Sequence, residues 1–221
     1  EAMGGQIRLQ SPVSRVVIAD GAVKGIECQG QFEAFDKVIS TVPLPYLPRI
    51  MPDLPEEVLA RFKAIRNIAV VCVIVKLRQA LTDNFWLNTN DPDMDIPGLV
   101  EYTNLRKLAE HVVYVPFYMP GEHPKYAEAD TVFLDKVRRY FKRINPALTD
   151  DDFIDMHASR YRYAQPICEP GYLDHLPSVN LPVEGLWAAD TSYYYPEDRG
   201  ISESIGFGRN MARMAVGENN A

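Results

Sequence analysis

The sequence lacks several patterns that would identify a binding site at once. It has no G-x-G-x-x-G run, the glycine pattern with which a strand-to-helix turn binds a dinucleotide pyrophosphate. Its three cysteines, Cys28, Cys72 and Cys168, form no C-x-x-C pair, so neither a zinc site nor a disulfide framework is indicated. His157 and His175 have no neighbours at metal-ligand spacing. We therefore expect no metal.

Long apolar runs and an excess of positive charge are also missing. No run approaches the roughly 18 apolar residues that cross a bilayer, and the N-terminal "EAMGGQIRLQ" lacks the zones of a signal peptide. The net charge of -7 argues against a nucleic acid partner. With 47% hydrophobic residues among 221, the composition is typical of a globular, soluble protein, which we expect in the cytoplasm.

The first 40 residues predict a β-meander. Stretches rich in β-forming residues lie at 14–18, 22–28 and 31–35, and the apolar "KVIS" follows them. Asp20-Gly21 is a strong hairpin signal, because both residue types tolerate the positive φ angles of a two-residue turn. A segment with five prolines, 41–55, follows, and we interpret it as an extended crossover into another domain.

The middle of the chain predicts a mostly antiparallel sheet with helices. Asp53 is positioned to cap a helix that ends near Asn67. The β-branched run 69–77 indicates a strand covered on both faces. Further strands are expected at 98–103, 112–118 and 155–164. Together with the flanking segments, these elements predict an α+β fold class.

A long amphipathic helix is predicted from about residue 130 to 144. Its basic residues are Arg138, Arg139, Lys142 and Arg143. They could form a binding patch, but a solvated helix face with favourable charge near its C-terminus explains them better.

The last region predicts a strand, a turn and a helix. "GLWAAD" is a short buried strand, a tyrosine-rich turn follows, and a helix runs from about 201 to 216. Asp190, at the carboxyl end of that strand, can accept hydrogen bonds from polyol hydroxyls. Gly200 lets a flat ligand approach the helix N-terminus, whose unpaired N–H groups suit an anion or a polarised carbonyl. These residues alone leave two interpretations open: a ligand with hydroxyls and an electron-rich ring, or a plain packing unit.

Residues 185–212 resemble the C-terminal flavin motif of the amine oxidase and protoporphyrinogen oxidase superfamily, with Ala189-Asp190 in place of its usual Gly-Asp pair. The predicted meander is similar to the one in that family. "FWLNTNDPDMDIPGLVEYTNL" is similar to a segment of the protoporphyrinogen oxidase-like and UDP-galactopyranose mutase-like branches, which forms part of the sheet above the flavin.

The resemblance implies FAD as cofactor and indicates which residues bind it. Val13 stands where the family's meander touches the adenine through its backbone. The other cofactor residues implied lie in the C-terminal motif: Ala189, Asp190, Arg199, Gly200, Ile201 and Ser204. Tyr102 and Tyr163 stand on strands near the family's substrate cavity and could line it, although core or surface positions are the alternative. No catalytic acid or base can be named.

The family's glycine-rich motif precedes its meander, so the resemblance implies the C-terminal portion of a longer flavoprotein. The domains expected are the meander of the FAD-binding domain (1–43), the substrate domain (44–180) and the C-terminal strand and helix of the FAD-binding domain (181–221). The partner implied is the missing N-terminal half, without which FAD binding should be weak or absent. The unpaired sheet edges that result favour self-association.

Three functions remain open. The intact protein could be an FAD-dependent oxidoreductase that oxidises a C–N or C–C bond of a small organic substrate. It could instead be a flavin-dependent sugar-nucleotide mutase-like isomerase, for which only Arg160 and Arg162 offer basic residues. The truncated chain could also be a non-catalytic binding module.

Overall fold

The computed structural model describes residues 4–217, which form an α+β structure as predicted. The strands are β1 (Val13–Ala19), β2 (Ala22–Cys28), β3 (Gln31–Ala34), β4 (Val38–Ser40), β5 (Asn67–Leu77), β6 (Trp86–Asn88), β7 (Gly98–Glu101), β8 (His111–Pro120), β9 (Phe153–Pro166) and β10 (Leu186–Ala188). The helices are α1 (Leu47–Ile50), α2 (Glu56–Ala64), α3 (Tyr102–Leu105), α4 (Asp130–Ile144), α5 (Tyr172–His175) and α6 (Ile201–Val216). Short 3₁₀ turns lie between them.

The chain divides into two compact units. Unit 1 is the chain up to Arg66 together with the chain from Pro166 onward, and unit 2 is Asn67–Gln165. These limits differ from the predicted domain boundaries at 43/44 and 180/181. The difference arises because residues 44–66 and 166–180 supply apolar side chains to the same core as the meander.

The meander of unit 1 closes through two-residue turns. β1, β2 and β3 pair antiparallel in that order. Asp20 and Gly21 have φ angles of 53° and 74°, and Gln29 and Gly30 repeat this with 53° and 76°. Positive φ at both central residues gives a turn the twist that matches the flanking strands.

A two-stranded parallel sheet completes the strands of unit 1. β10 pairs with β4, with Leu186 opposite Val38, and the Val38 N–H donates to the Gly185 carbonyl at 2.8 Å. On its other side, β10 forms an antiparallel β-bridge between Trp187 and Asn180. Helix α6 packs against Trp187 through Met211 and Ala215, which lie one turn apart.

The proline-rich segment is partly helical, so its interpretation as an extended crossover was wrong. Pro45 lies at the start of the 3₁₀ turn Leu44–Tyr46, and Pro48 lies at the start of α1. A missing N–H costs nothing there, because the first N–H groups of a helix have no partner within it. Leu47 is fully buried in the core of unit 1. The prediction that Asp53 caps the next helix was also wrong: α2 begins after Pro55, and the Asp53 carboxylate pairs with Arg15 at 2.6 Å.

Unit 2 is a five-stranded sheet in the order β6-β7-β8-β5-β9. β5, β8, β7 and β6 pair antiparallel, and β9 lies beside β5. One face packs on α4 through Phe133, Val137 and Phe141. The prediction that β5 is covered on both faces was wrong, because its other face, which includes Ile74, is only half-buried.

Helix α4 spans the predicted residues, and its basic side chains bind acidic residues of unit 2. Lys142 pairs with Asp150 at 2.8 Å, and Arg143 pairs with Asp91 at 2.7 Å and with Asp93 at 3.1 Å. These ion pairs support the structural interpretation of the basic face over a binding patch.

Candidate functional site

Asp190 ties two loops of unit 1 together at the carboxyl end of β10. Its Oδ2 accepts the Leu44 N–H, and its Oδ1 accepts the Ser192 N–H, each at 2.8 Å. The side chain is half-buried and caps the 3₁₀ turn Thr191–Tyr194. A carboxylate offers about four lone-pair sites, so two such bonds leave it able to accept hydrogen bonds from a ligand.

Ala189 is buried beside Asp190 and is already engaged. Its N–H donates to the Ser40 carbonyl at 3.0 Å, and only 3% of its surface is exposed. Because both the side chain and the N–H are occupied, Ala189 positions Asp190 and offers little surface of its own.

Val13 lines two adjoining clefts in unit 1. The smaller, of about 360 Å³, lies between the meander and β4 and is mostly apolar, with Lys37, Ser40 and Thr41 as polar members. The larger, of about 630 Å³, shares Val13, Val42 and Ile50 with it. The mixture of apolar walls and a few polar groups is typical of small-molecule sites.

A short segment joins these clefts to Asp190. Ser40 and Val42 line the smaller cleft, and Leu44 donates its N–H to Asp190. Residues 40–44 therefore connect a wall of the smaller cleft to the Asp190 carboxylate through one continuous stretch of backbone.

The N-terminus of α6 carries the remaining predicted cofactor residues. Gly200 is the N-cap, Ile201 is 81% exposed, and the Ser204 hydroxyl donates to the Gly200 carbonyl at 2.8 Å. Arg199 is exposed and precedes the cap. The Glu203 carboxylate lies so close to Gly200 that a Cβ there would stand 1.8 Å from its Oε2.

Tyrosine side chains hold the turn between Asp190 and α6. The rings of Tyr193 and Tyr194 pack on Phe207 with centroid distances of 6.0 and 5.6 Å. The Tyr172 hydroxyl donates to the Ser192 carbonyl at 3.1 Å. Burial raises the pKa of Tyr172 to about 12 and raises the pKa of Tyr193 further, so both hydroxyls stay protonated at neutral pH.

The two predicted substrate residues both belong to unit 2. Tyr102 begins α3, and its ring meets that of Tyr114 edge to face, with centroids 6.2 Å apart. Tyr163 lies near the end of β9 and is half-buried. Within residues 4–217 there is no cluster of His, Cys, Asp and Glu that could hold a metal ion.

Sequence reasoning missed the residues that only folding brings to the site. Ser40 ends the apolar "KVIS" stretch, and Val42 and Leu44 lie in the proline-rich segment that follows it, but no residue type there signals a contact with Asp190. Glu203 was also missed, although a glutamate three residues after a helix cap is a common reciprocal partner of the cap.

The residues present fit a flavin dinucleotide in most respects. Apolar clefts next to Val13 suit a flat ring system, and the free lone pairs of Asp190 suit polyol hydroxyls. At the α6 N-terminus the fit is poorer, because the Glu203 carboxylate occupies the space in front of Gly200. A ligand that used those N–H groups would require Glu203 in another rotamer.

The chain matches the profile of a known protein family. The family profile of the flavin containing amine oxidoreductases matches residues 1–194. A search of curated protein sequences gave no match.

Several solved structures share the fold. An oxidoreductase from Methanosarcina mazei superposes with a TM-score of 0.70 at 16% identity, over 96% of this chain and 51% of that one. The "Putative protoporphyrinogen oxidase" of Exiguobacterium sp. 255-15 gives 0.73 at 16% identity, over 97% and 48%. A reduced UDP-galactopyranose mutase gives 0.55 at 16% identity, over 73% and 36%. The chain thus spans about half the length of the first two.

One further property concerns membranes. None of the helices between residues 4 and 217 combines the length and the apolar character that a bilayer span requires.

Proposed function

Since the chain belongs to the flavin containing amine oxidoreductase family, we propose that it forms part of an FAD-dependent oxidoreductase, which oxidises a C–N or C–C bond of a small organic substrate. The observation that carries this proposal is the 40–44 segment, which joins the Val13-lined clefts to the Asp190 carboxylate. The proposed location of the intact protein is the cytoplasm.

In this proposal unit 1 holds the cofactor. The backbone of Val13 would hold the adenine, and the free lone pairs of Asp190 would accept hydrogen bonds from the ribityl hydroxyls. Arg199, Gly200, Ile201 and Ser204, at the N-terminus of α6, would bind the flavin ring once Glu203 adopts another rotamer. The proposed FAD-binding domain comprises residues 1–43 and 181–221, and residues 44–66 and 166–180 contribute apolar side chains to its core.

Residues 44–180 contain the proposed substrate domain, in which Tyr102 and Tyr163 line the substrate site. FAD, when bound, supplies the hydride-accepting chemistry, and the protein supplies binding, orientation and exclusion of water. We assign no catalytic acid or base among the described residues, because the flavin carries the redox chemistry and need not rely on a protein acid or base.

The proposed partner is a polypeptide that carries the glycine-rich dinucleotide motif, the N-terminal half implied by the family. The support is the apolar surface that unit 1 leaves open. Ile39 of β4 is 41% exposed, and Ile201, Ile205 and Val216 of α6 are 81%, 52% and 67% exposed. In the absence of that partner, the same surface should lead the chain to self-associate.

A sugar-nucleotide mutase-like isomerase is the second candidate, favoured by the likeness to UDP-galactopyranose mutase. The two basic residues of this chain that could bind a sugar-nucleotide diphosphate already form ion pairs, however. Arg160 pairs with Asp130, and Arg162 pairs with Glu122 at 3.0 Å. A diphosphate would have to compete with these carboxylates. The third candidate is a non-catalytic binding module.

Flavin binding tests the proposal directly. The purified chain is incubated with excess FAD and desalted, and its absorption is measured in the flavin window of about 350–500 nm. The test is run on the chain alone and together with a separately expressed N-terminal half of a family member. We expect weak retention by the chain alone and strong retention by the pair.

A matched pair of variants makes the result specific. Asp190→Asn should reduce flavin retention by the pair, while Asp135→Ala, on the exposed side of α4 in unit 2, should leave it unchanged. If neither the chain nor the pair retains flavin, the proposal is wrong.

A further inference from the structure

The N-terminus of α6 begins at a residue that cannot cap it. Gly200, the N-cap, has no side chain, and the acidic residue of the first turn is Glu203. The first N–H groups of a helix lack partners within it, and together with the helix dipole they give this end a partial positive charge. A negative group placed there is therefore stabilised.

The Glu203 carboxylate lies back over this end of the helix. A Cβ on Gly200 would stand 1.8 Å from Glu203 Oε2 and 2.9 Å from Cδ, so the carboxylate fills the space beside the N-cap. Glu203 is half-buried, whereas its neighbours Ser202 and Ser204 are exposed. The Ser204 hydroxyl donates to the Gly200 carbonyl at 2.8 Å, which directs it back along the helix. Glycine at position 200 leaves the space that the carboxylate takes.

The proposed function gives the same place to the flavin ring. A ligand at the N–H groups of α6 and the Glu203 carboxylate cannot both occupy the space in front of Gly200. Both are favoured there for one physical reason, the positive end of the helix. Binding of the ligand therefore requires that the carboxylate leave, and the loss of that interaction lowers the affinity.

We propose that Glu203 is a self-capping, autoinhibitory group of α6. In the chain without flavin it occupies the helix end and stabilises it, and it weakens flavin binding to the same extent. The inference rests on the proposed function, which places the flavin at this end of α6. A carboxylate in the first turn of a helix changes an equilibrium constant by about twofold to fivefold.

The first measurement is the affinity for FAD. The 221-residue chain is combined with a separately expressed N-terminal half of a family member and titrated with FAD, whose fluorescence change gives a Kd. Glu203→Gln keeps the length and the helix propensity of the side chain and removes its charge. It should bind FAD about twofold to fivefold more tightly than the unchanged pair does. An equal or weaker affinity would overturn the proposal.

The second measurement is the stability of the chain without flavin. Glu203→Gln should raise the equilibrium constant of urea unfolding, followed by circular dichroism, about twofold to fivefold, because the helix end loses its negative group. Stability and affinity thus change in opposite directions. A residue that only supported the fold of the site would lower both when replaced, and that result would contradict self-capping.

Glu56→Gln is the matched control. Glu56 is an exposed carboxylate in the first turn of α2, another helix of unit 1. Its replacement should lower the stability in the same way and leave the Kd for FAD unchanged. A gain in affinity equal to that of Glu203→Gln would reveal a general effect of net charge on an anionic ligand, and self-capping would be wrong.

A double-mutant cycle tests the contact itself without any cofactor. Gly200→Ala places a Cβ where the carboxylate lies and should expel it. The change should therefore raise the unfolding constant more in the unchanged chain than in a Glu203→Ala background. Equal effects in the two backgrounds would refute the contact.

Failure of this inference and failure of the proposed function give different results. If no form of the pair binds FAD, the proposed function fails and the self-capping role fails with it. If the unchanged pair binds FAD and Glu203→Gln gains no affinity, the proposed function stands and the self-capping role alone fails.

Discussion

Asp190 and Leu44 are 146 residues apart in the sequence, yet the Leu44 N–H donates to Asp190 Oδ2 at 2.8 Å. The bond fastens the chain that leaves β4 to the end of β10. The same carboxylate holds the Ser192 N–H, so one side chain organises both loops next to the Val13-lined clefts.

Replacing Asp190 should therefore affect stability as well as cofactor binding. Asp190→Ala leaves two backbone N–H groups without their acceptor, which we expect to cost about 1–3 kcal/mol of unfolding free energy. Asp190→Asn keeps one acceptor and should cost less. Urea unfolding of the chain measures both. Asp135→Ala, on the exposed side of α4, should change the value by less than about 0.5 kcal/mol, and an equal loss there would contradict the role of Asp190.

Two glycines of unit 1 should respond in opposite directions to the same change. Gly185 has a φ of 78°, and an added Cβ would lie 2.3 Å from the Asp36 carbonyl oxygen. Gly185→Ala should lower the unfolding free energy by about 1–3 kcal/mol and disturb the β10–β4 pairing. Gly206→Ala, in α6 with nothing near its Cβ, should raise it by about 0.5–1 kcal/mol. Thermal unfolding followed by circular dichroism compares them, and a stabilising Gly185→Ala would refute the assigned geometry.

Asp95 should make unit 2 sensitive to acid. Partial burial favours its neutral form, but hydrogen bonds from Lys125, Tyr140 and Lys136 outweigh that effect and hold the pKa of Asp95 well below its usual range. A carboxylate whose pKa is lower in the folded state stabilises the fold above its unfolded pKa of about 4. This stability should be lost as the pH falls further toward the folded pKa.

Unfolding in urea between neutral and acid pH tests this dependence. Asp95→Asn should cost about 1 kcal/mol near pH 7 and flatten the fall in stability below about pH 4. Asp150→Asn removes an exposed carboxylate and should have the smaller effect on the stability at pH 7 and on its fall below about pH 4. Equal pH profiles for Asp95→Asn and the unchanged chain would exclude the assigned role.

Helix α6 should drive self-association of the chain. Its residues Ile205 and Val216 lie on one side of the helix and are 52% and 67% exposed. Ile205→Gln with Val216→Gln should lower the average mass in sedimentation velocity and reduce the binding of an apolar-surface dye. The control is Leu105→Gln in unit 2, an exposed apolar residue outside α6. If only the control lowered the mass, the interface would lie elsewhere.

Local signals predicted the elements whose stability depends on neighbours in sequence. The limits of α4 and α6 match the predictions, because apolar residues at helical spacing and the cap at Gly200 define them. The Asp20-Gly21 turn was predicted because its φ angles suit few other residue pairs.

Elements whose form depends on distant packing were not predicted. The proline-rich segment 41–55 forms turns because they allow Leu44 and Leu47 to pack in a core shared with α2 and the meander. β6 was missed because three residues carry too little periodicity, and Asp53 was assigned to a cap because its partner Arg15 lies 38 residues away.

The sequence by itself determined the α+β fold class, because hairpin turns, amphipathic periods and the strand-turn-helix of residues 185–216 are short-range patterns. The flavoprotein family came from the resemblance of its motifs to those of known proteins. Only the tertiary structure decided that Leu44 meets Asp190, that Glu203 stands before Gly200, and that Trp86 shares an open face with Tyr114. Strand register and side-chain packing arise between segments far apart in the chain, and no local pattern of residues records which of them will meet.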